Sequence, residues 1–266
     1  MNSICICKVN PGQGVDMTDS LSATPDSEAP GRLTALLVRL LFRQATVSKV
    51  ETLSEHFRRI TFVGDALKSV AWAPGAKIQI SVGGGANRTY TPINWDSVAG
   101  QTQILVFTHG DGPGSAWAST VQEGEACAFF GPRRSLDLER VGDDLGLLFG
   151  DETTFGSALA FASSYGPEGA PILLFEVSSV AESERVWRSC SPLRATFIPR
   201  AAGETHLNAV AAELRTIISD WAPDAYILSG KASSIRRVRG ILEEHAIARA
   251  QTSVKAYWAA GKKGLD

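Results

Sequence analysis

A chain of 266 residues with 44% apolar side chains is long enough to bury two modest cores or one large one. Its 26 basic and 28 acidic residues give a formal charge of −2, so there is no electrostatic case for nucleic acid, and any cationic pocket must be local. No uncharged apolar run reaches the ~18 residues that a membrane span needs. The nearest, residues 33–42, is short and interrupted by Arg39.

Residues 1–31 are rich in Ser, Thr, Pro, Gly and Asp and read as a disordered leader. The leader lacks a basic start followed by a clean apolar stretch and cleavage site, so no secretory signal is expected. Residues 32–42 read as a short amphipathic helix docked on the body. Short alternating strands follow at 45–50, 58–63, 77–82, 88–91, 103–108 and 125–130, separated by Gly64-Asp65, Pro74-Gly75, Gly83-Gly84-Gly85 and Gly131-Pro132. Six such strands suit a small closed antiparallel barrel. Beyond residue 142 the grammar changes. Strands at 146–149, 172–177, 195–198, 225–228 and 253–257 alternate with helical stretches, which argues a parallel sheet covered on both faces. The four cysteines include no Cys-x-x-Cys pair and the four histidines lack metal-ligand spacing, so no protein-bound metal is expected. Free thiols point to the cytoplasm.

Three segments carry chemistry. In Arg88-Thr89-Tyr90-Thr91, strand alternation sends Arg88 and Tyr90 to one face. A guanidinium beside a phenol ring suits a ligand with an anionic part and a flat conjugated part, and a flavin dinucleotide is one, with the Thr91 hydroxyl near the ring edge. Taken alone, the stretch is equally a half-exposed strand with an ordinary arginine and tyrosine. The second segment, His109-Gly110-Asp111-Gly112-Pro113-Gly114-Ser115-Ala116-Trp117-Ala118, follows a buried strand. Pro113 is placed to open a helix, the small residues after it allow close approach of backbone, and free amides at a helix start attract phosphate. A Gly/Pro turn before a surface helix, with Trp117 in the core, is the plainer alternative. The third, Gly150-Asp151-Glu152-Thr153, ends an apolar strand where ligands of open α/β sheets sit, although carboxylates there also serve as helix caps.

Together these segments resemble the siderophore-interacting protein family, flavin-dependent ferric-siderophore reductases related to ferredoxin-NADP reductases. The resemblance runs from about Arg43 to the C-terminus. His56-Phe57-Arg58-Arg59-Ile60-Thr61, Gly131-Pro132-Arg133 and Ala256-Tyr257-Trp258 also match the family's ordered motifs. The resemblance implies a six-stranded antiparallel Greek-key flavin-binding barrel at 32–140, a parallel α/β nucleotide-binding-like domain with a tail at 141–266, FAD as prosthetic group, and reduction of chelated Fe(III) to Fe(II) in the cytoplasm. It assigns FAD to Arg88, Thr89, Tyr90, Thr91, His109, Gly110, Pro113, Gly114, Ser115, Ala116 and Trp117, with Asp151 and Thr153 near the ring. No side chain is required as acid, base or nucleophile, so no catalytic residue is assigned.

Ferric siderophores are often anionic, and Arg58, Arg133, Arg134, Lys255, Lys262 and Lys263 are the candidates to receive them. The chain departs from the pattern at Thr154-Phe155-Gly156, where many relatives carry Ala-Leu-Pro, and at Ala259, where many carry Arg. With Ser229-Gly230-Lys231 and the end from Lys255, these departures resemble a second branch of the family, for which the resemblance implies NADH or a reduced ferredoxin rather than NADPH, and the donor is expected to be NAD(P)H or reduced ferredoxin. Arg200 is a candidate for a 2′-phosphate and equally a surface residue. Two other readings stand beside this one: a ferredoxin- or flavodoxin-NADP reductase with a protein partner, and a carrier of ferric chelates without enzymatic activity.

Overall fold

The computed structural model describes residues 42–136, 138, 146–163, 165 and 170–261. The expected leader at 1–31, the expected helix at 32–42 save Phe42, and Lys262 and Lys263 lie outside these residues. The described residues fall within one compact unit.

The first half is an antiparallel sheet of β1 (Arg43–Thr52), β2 (Phe57–Val63), β3 (Lys77–Ser81), β4 (Asn87–Tyr90), β5 (Pro92–Asp96), β6 (Gln101–Phe107) and β7 (Ala126–Arg133). Its order is β4-β3-β7-β1-β2-β6-β5. The two edge strands, β4 and β5, are consecutive in the chain and separated by Thr91 alone, so the sheet must roll until its edges nearly meet. β4 pairs with β3 as far as Ile78 opposite Tyr90, and β5 pairs with β6 from Pro92 opposite Ile104. Pro92 has no N–H to continue a ladder, so the chain changes partner there. The sheet thus has one strand more than the expected six, β5 at 92–96, and its edge strands β4 and β5 are not paired with each other, so it is a rolled open sheet where a closed barrel was expected. Val47, Ile60, Phe62, Ile78, Ile80, Ile104 and Phe129 fill the interior. Helix α1 (Pro113–Thr120) begins at Pro113, whose fixed φ suits a first turn.

The second half has strands β8 (Gly146–Gly150), β9 (Ile172–Val177), β10 (Thr196–Pro199), β11 (Ala225–Lys231) and β12 (Thr252–Trp258), with helices α2 (Phe155–Ala162), α3 (Val180–Cys190), α4 (Leu207–Trp221) and α5 (Ala232–Glu244). The strands are parallel in the order β10-β9-β8-β11-β12. Every residue of β8 is buried, as a strand covered on both faces requires. On α4, Leu207, Val210, Ala211, Leu214 and Ile217 repeat at helical spacing and pack with α5 on one face of the sheet. The other face carries α2 and α3, and through α2 it meets the barrel. Phe57 of β2 stacks on Phe155 at 5.4 Å, and both join Phe175, Trp187 and Leu105 in a shared core. That core brings the carboxyl ends of β8, β11 and β12 to the corner at Thr91.

Candidate functional site

The site starts from β4. Arg88 and Tyr90 lie opposite Ile80 and Ile78 of β3, and helix α1 crosses them. A Cβ on Gly114 would stand 2.9 Å from the Tyr90 hydroxyl and 3.2 Å from Arg88 Cγ, so only glycine lets the helix start come this close. Trp117 packs on Tyr90 with ring centroids 6.0 Å apart. Burial pushes the Tyr90 phenol pKa up, against the pull of the Arg88 charge. The Arg88 guanidinium donates to the carbonyl of Asn87 at 2.7 Å. No side chain caps α1, and its amides at Gly114 and Ser115 precede the first intrahelical bond, from Ala116 to Gly112. A cation, an aromatic ring and two free amides thus converge within one turn, which fits a diphosphate joined to a flat ring. Open space around Gly110 and Gly112 completes the approach.

Other predicted residues are engaged with the protein itself. The Ser115 hydroxyl accepts from the His109 amide and donates to its carbonyl, each at 2.9 Å, which closes the loop before the helix. His109 stacks on Phe107 at 5.6 Å and lies 6.4 Å from the Trp258 ring. Partial burial lowers its pKa, while Glu152 pulls it the other way. Thr89 lies opposite Gln79, and Ala116 is exposed on α1. Thr91 meets the second half of the chain. Ser157 of α2 donates to its hydroxyl at 3.1 Å, and Tyr257 of β12 contacts Ser157 at 2.6 Å and Thr91 at 3.4 Å. Burial raises the Tyr257 pKa. Ser157 was not anticipated, although it is the one polar side chain in the apolar run 155–162.

At the carboxyl ends of the parallel strands the polar groups form a network. Asp151 is fully buried and accepts from the Thr153 amide at 2.9 Å, the Thr153 hydroxyl at 2.5 Å and Trp258 Nε1 at 2.7 Å. Burial, opposed by these hydrogen bonds, raises its pKa to about 6. Gly230 has a φ of 99°, and a Cβ there would reach Asp151 Oδ2 at 2.6 Å, so both backbone and space demand glycine. Arg200 pairs with Glu152, which also accepts from the Ser178 amide. Arg200 therefore has a partner, and is not the unattached surface cation it resembled in the sequence. Arg200 and Lys231 stand 5.9 and 5.4 Å from the centroid of Trp258.

The basic candidates divide. Arg58 donates to the carbonyls of Ser54, Glu55 and Phe57, so it braces its own turn. Arg133 lies over Phe130 and donates to Gln79, two strands from Tyr90 in the sheet order. It lines a cavity of about 270 Å³ with Arg134, Pro132, Ala71, Leu136 and Leu138. Lys255 shares a face of β12 with Tyr257.

A rolled antiparallel sheet carrying a ring-and-cation strand, followed by a parallel sheet at its open edge, defines a two-domain architecture of the ferredoxin-reductase type. Phthalate dioxygenase reductase shares it with a TM-score of 0.66 at 15% identity, over 83% of this chain and 70% of that one. A siderophore utilization protein from T. fusca aligns with a TM-score of 0.68 at 21% identity, over 85% of this chain and 95% of that one. SipS of Aeromonas hydrophila aligns at 0.69 and 19%, over 84% and 93%. Residues 83–136 match the siderophore-interacting FAD-binding domain and residues 144–261 match the siderophore-interacting protein family. The chain belongs to the siderophore-interacting protein family. It is also 28% identical over 127 residues to the NADPH-dependent ferric-chelate reductase of Escherichia coli K12, a match covering 36% of this chain and 47% of that protein. The matched part thus amounts to about half the length of that curated relative.

Proposed function

We propose that the chain is an FAD-dependent ferric-siderophore reductase, with a flavin barrel at 32–140 and an electron-donor domain at 141–266. The observation that carries this reading is the meeting of Arg88, Tyr90 and the start of α1 at Gly114. Arg88 and the amides of Gly114 and Ser115 hold the pyrophosphate, where charge-assisted bonds are strongest. Tyr90, braced by Trp117, offers its ring to the isoalloxazine. Asp151 orients Trp258 at the junction, and Thr91, tied to Ser157 and Tyr257, fixes the corner on which the ring rests. FAD held there would supply the passage from two-electron to one-electron transfer that Fe(III) requires. The protein's task is position and field. Arg133, Arg134 and Lys255 attract the anionic chelate, and the apolar wall of the nearby cavity receives part of it. The described cysteines, Cys127 and Cys190, are free thiols, which favours a cytoplasmic setting. Among the described residues no helix is long and apolar enough to cross a membrane.

NAD(P)H is the donor in this reading, with reduced ferredoxin as the alternative. The test begins with a visible spectrum of the purified protein. The anaerobically reduced protein is then mixed with ferric siderophores and a ferrous trap. Reoxidation matched by Fe(II) appearance is expected. A flavin-loaded protein that reduces no ferric chelate would overturn the substrate assignment and leave the flavin assignment standing.

A further inference from the structure

Segments 71–76 and 132–138 enclose the cavity of about 270 Å³ that Arg133 and Arg134 share. The two segments are clasped together. The Leu136 amide donates to the Gly75 carbonyl at 3.2 Å. Gly75 has a φ of 84°, and a Cβ there would stand 2.5 Å from the Leu136 carbonyl oxygen and 2.7 Å from Leu138 Cγ. Leu136 and Leu138 are buried and belong to the core that joins barrel and sheet, so the floor of the cavity is fixed. Apart from the two arginines, every lining side chain is alanine, proline or leucine, and none is aromatic or carries a polar atom. Leu136, Leu138 and Ala76 are buried, whereas Arg133 and Arg134 are exposed. The cavity thus has an aliphatic inner end and a cationic mouth. It also lies close to the ring-and-cation strand: Arg133 is opposite Lys77 on β3, and the next residue, Ile78, is opposite Tyr90. Folded proteins leave few voids of this size, and a dry apolar one takes up hydrocarbon.

Resting on the reading that this chain reduces ferric chelates, we propose that the cavity receives an aliphatic acyl chain, and that the substrates are ferric siderophores bearing such a tail on an anionic head. At about 30 Å³ for each water-sized group, 270 Å³ holds roughly nine, which matches the hydrocarbon of a decanoyl chain. Walls without hydrogen-bonding side chains favour methylenes over the amides and hydroxyls of an untailed chelate, which would lose water there and gain no partner. An aromatic tail would find no ring to pack on. At the mouth, Arg133 is steadied over Phe130 by its bond to Gln79, and its charge complements a negative head. Tail contacts lie away from the iron and are equal before and during electron transfer. They therefore lower the half-saturating concentration of the chelate and leave the limiting rate alone. Each methylene fully buried tightens binding about fourfold.

The experiment uses the flavin-loaded full chain. It is titrated calorimetrically with decanoate and with acetate. Protein reduced anaerobically with dithionite is then mixed with ferric citrate-dihydroxamate chelates whose hydroxamates carry acetyl, hexanoyl or decanoyl groups, and reoxidation is followed at rising chelate concentration. Decanoate should bind and acetate should not. From acetyl to decanoyl the half-saturating concentration should fall roughly thirtyfold or more, with the limiting rate held within about twofold. Ala73→Phe, which fills the cavity, should remove both decanoate binding and the dependence on chain length. Ala71→Phe, at an exposed position of the same wall, serves if the first variant does not fold. Equal half-saturation by all three chelates would overturn the substrate assignment, and decanoate binding alongside it would give the cavity to a free fatty acid. A chain-length dependence that survives both substitutions would overturn the assignment to this cavity. Failure to reduce any of the three chelates would overturn the reductase reading and with it the choice of substrate, while the decanoate titration still decides whether the cavity takes an acyl chain.

Discussion

The open edge of the barrel and the strand ends of the parallel sheet treat polar groups in opposite ways. At the barrel edge Arg88 donates to its neighbour's carbonyl, and no side chain caps α1. At the strand ends Asp151, Glu152, Glu204, Arg200 and Lys231 each have a partner within the chain. A cation and amides left without counter-charge attract an anion and give up little of their own bonding to receive it. A neutralised network instead holds its members in place and resists a newcomer. On the proposed reading, the contrast suits the first region to cofactor binding and the second to positioning.

The largest effect comes from closing the gap at the barrel edge. In Gly114→Val, the new side chain must displace the Tyr90 hydroxyl or Arg88, which a Cβ would meet at 2.9 and 3.2 Å. Loss of FAD on gel filtration is expected, together with a lower melting midpoint of the apoprotein, because the Tyr90 ring that must move is packed on Trp117. Full retention of flavin would show that the ring and pyrophosphate lie elsewhere.

The next effect belongs to the paired region and appears as pH dependence. The carboxyl of Asp151 has a folded pKa of about 6, raised from 3.8 chiefly by burial. Between those values the unfolded chain is ionised while the folded one holds the proton. Stability therefore falls as pH rises through that window, by about 3 kcal/mol in all, because each tenfold difference in proton affinity between the two states is worth about 1.4 kcal/mol. In Asp151→Asn this decline should flatten, as read from denaturant midpoints between pH 4 and 7. An identical slope in the variant would mean that Asp151 is not the group responsible.

Much of this division was legible in the sequence, for physical reasons that differ between the halves. Strand alternation placed Arg88 and Tyr90 together, and Pro113 marked the helix start to the residue. Backbone chemistry of that kind is local. The corner at Thr91 and the strand beyond it were missed: Pro92, which cannot donate to a ladder, marks a break, but it does not say that the chain goes on to pair with β6. The ion pairs of Arg200 and Lys231 join residues 48 and 27 positions apart, and no periodicity encodes such distances. Lys262 and Lys263, outside the described residues, stay where the sequence left them.

A smaller effect returns to the barrel. Arg88→Ala removes a charge-assisted contact worth about 1.5–3 kcal/mol, so FAD affinity should fall roughly ten- to a hundredfold. Reconstitution of apoprotein with FAD, followed by fluorescence, measures it. If Arg88 contacts the pyrophosphate, the loss shrinks for a ligand that lacks it, and riboflavin should bind wild-type and variant protein about equally. A comparable loss for riboflavin would make Arg88 a support for the Tyr90 ring.

The smallest effect tests the hinge between the two regions. Tyr257→Phe deletes the hydroxyl that meets Ser157 at 2.6 Å and Thr91 at 3.4 Å, while Ser157 keeps its own bond to Thr91. One lost hydrogen bond is worth about 1 kcal/mol, and a protein of this size should lose about 2–4 °C in its melting midpoint. The direction of any change in flavin affinity then decides the role of Thr91. If the three hydroxyls serve only to join barrel and sheet, affinity stays within threefold of the wild type while the midpoint falls. If the Thr91 hydroxyl also faces the ring, freeing it from Tyr257 alters the flavin absorption maximum and affinity together. A shift of spectrum without loss of stability would move Thr91 from the structural network to the cofactor site, and the boundary between the two regions would then run through that residue.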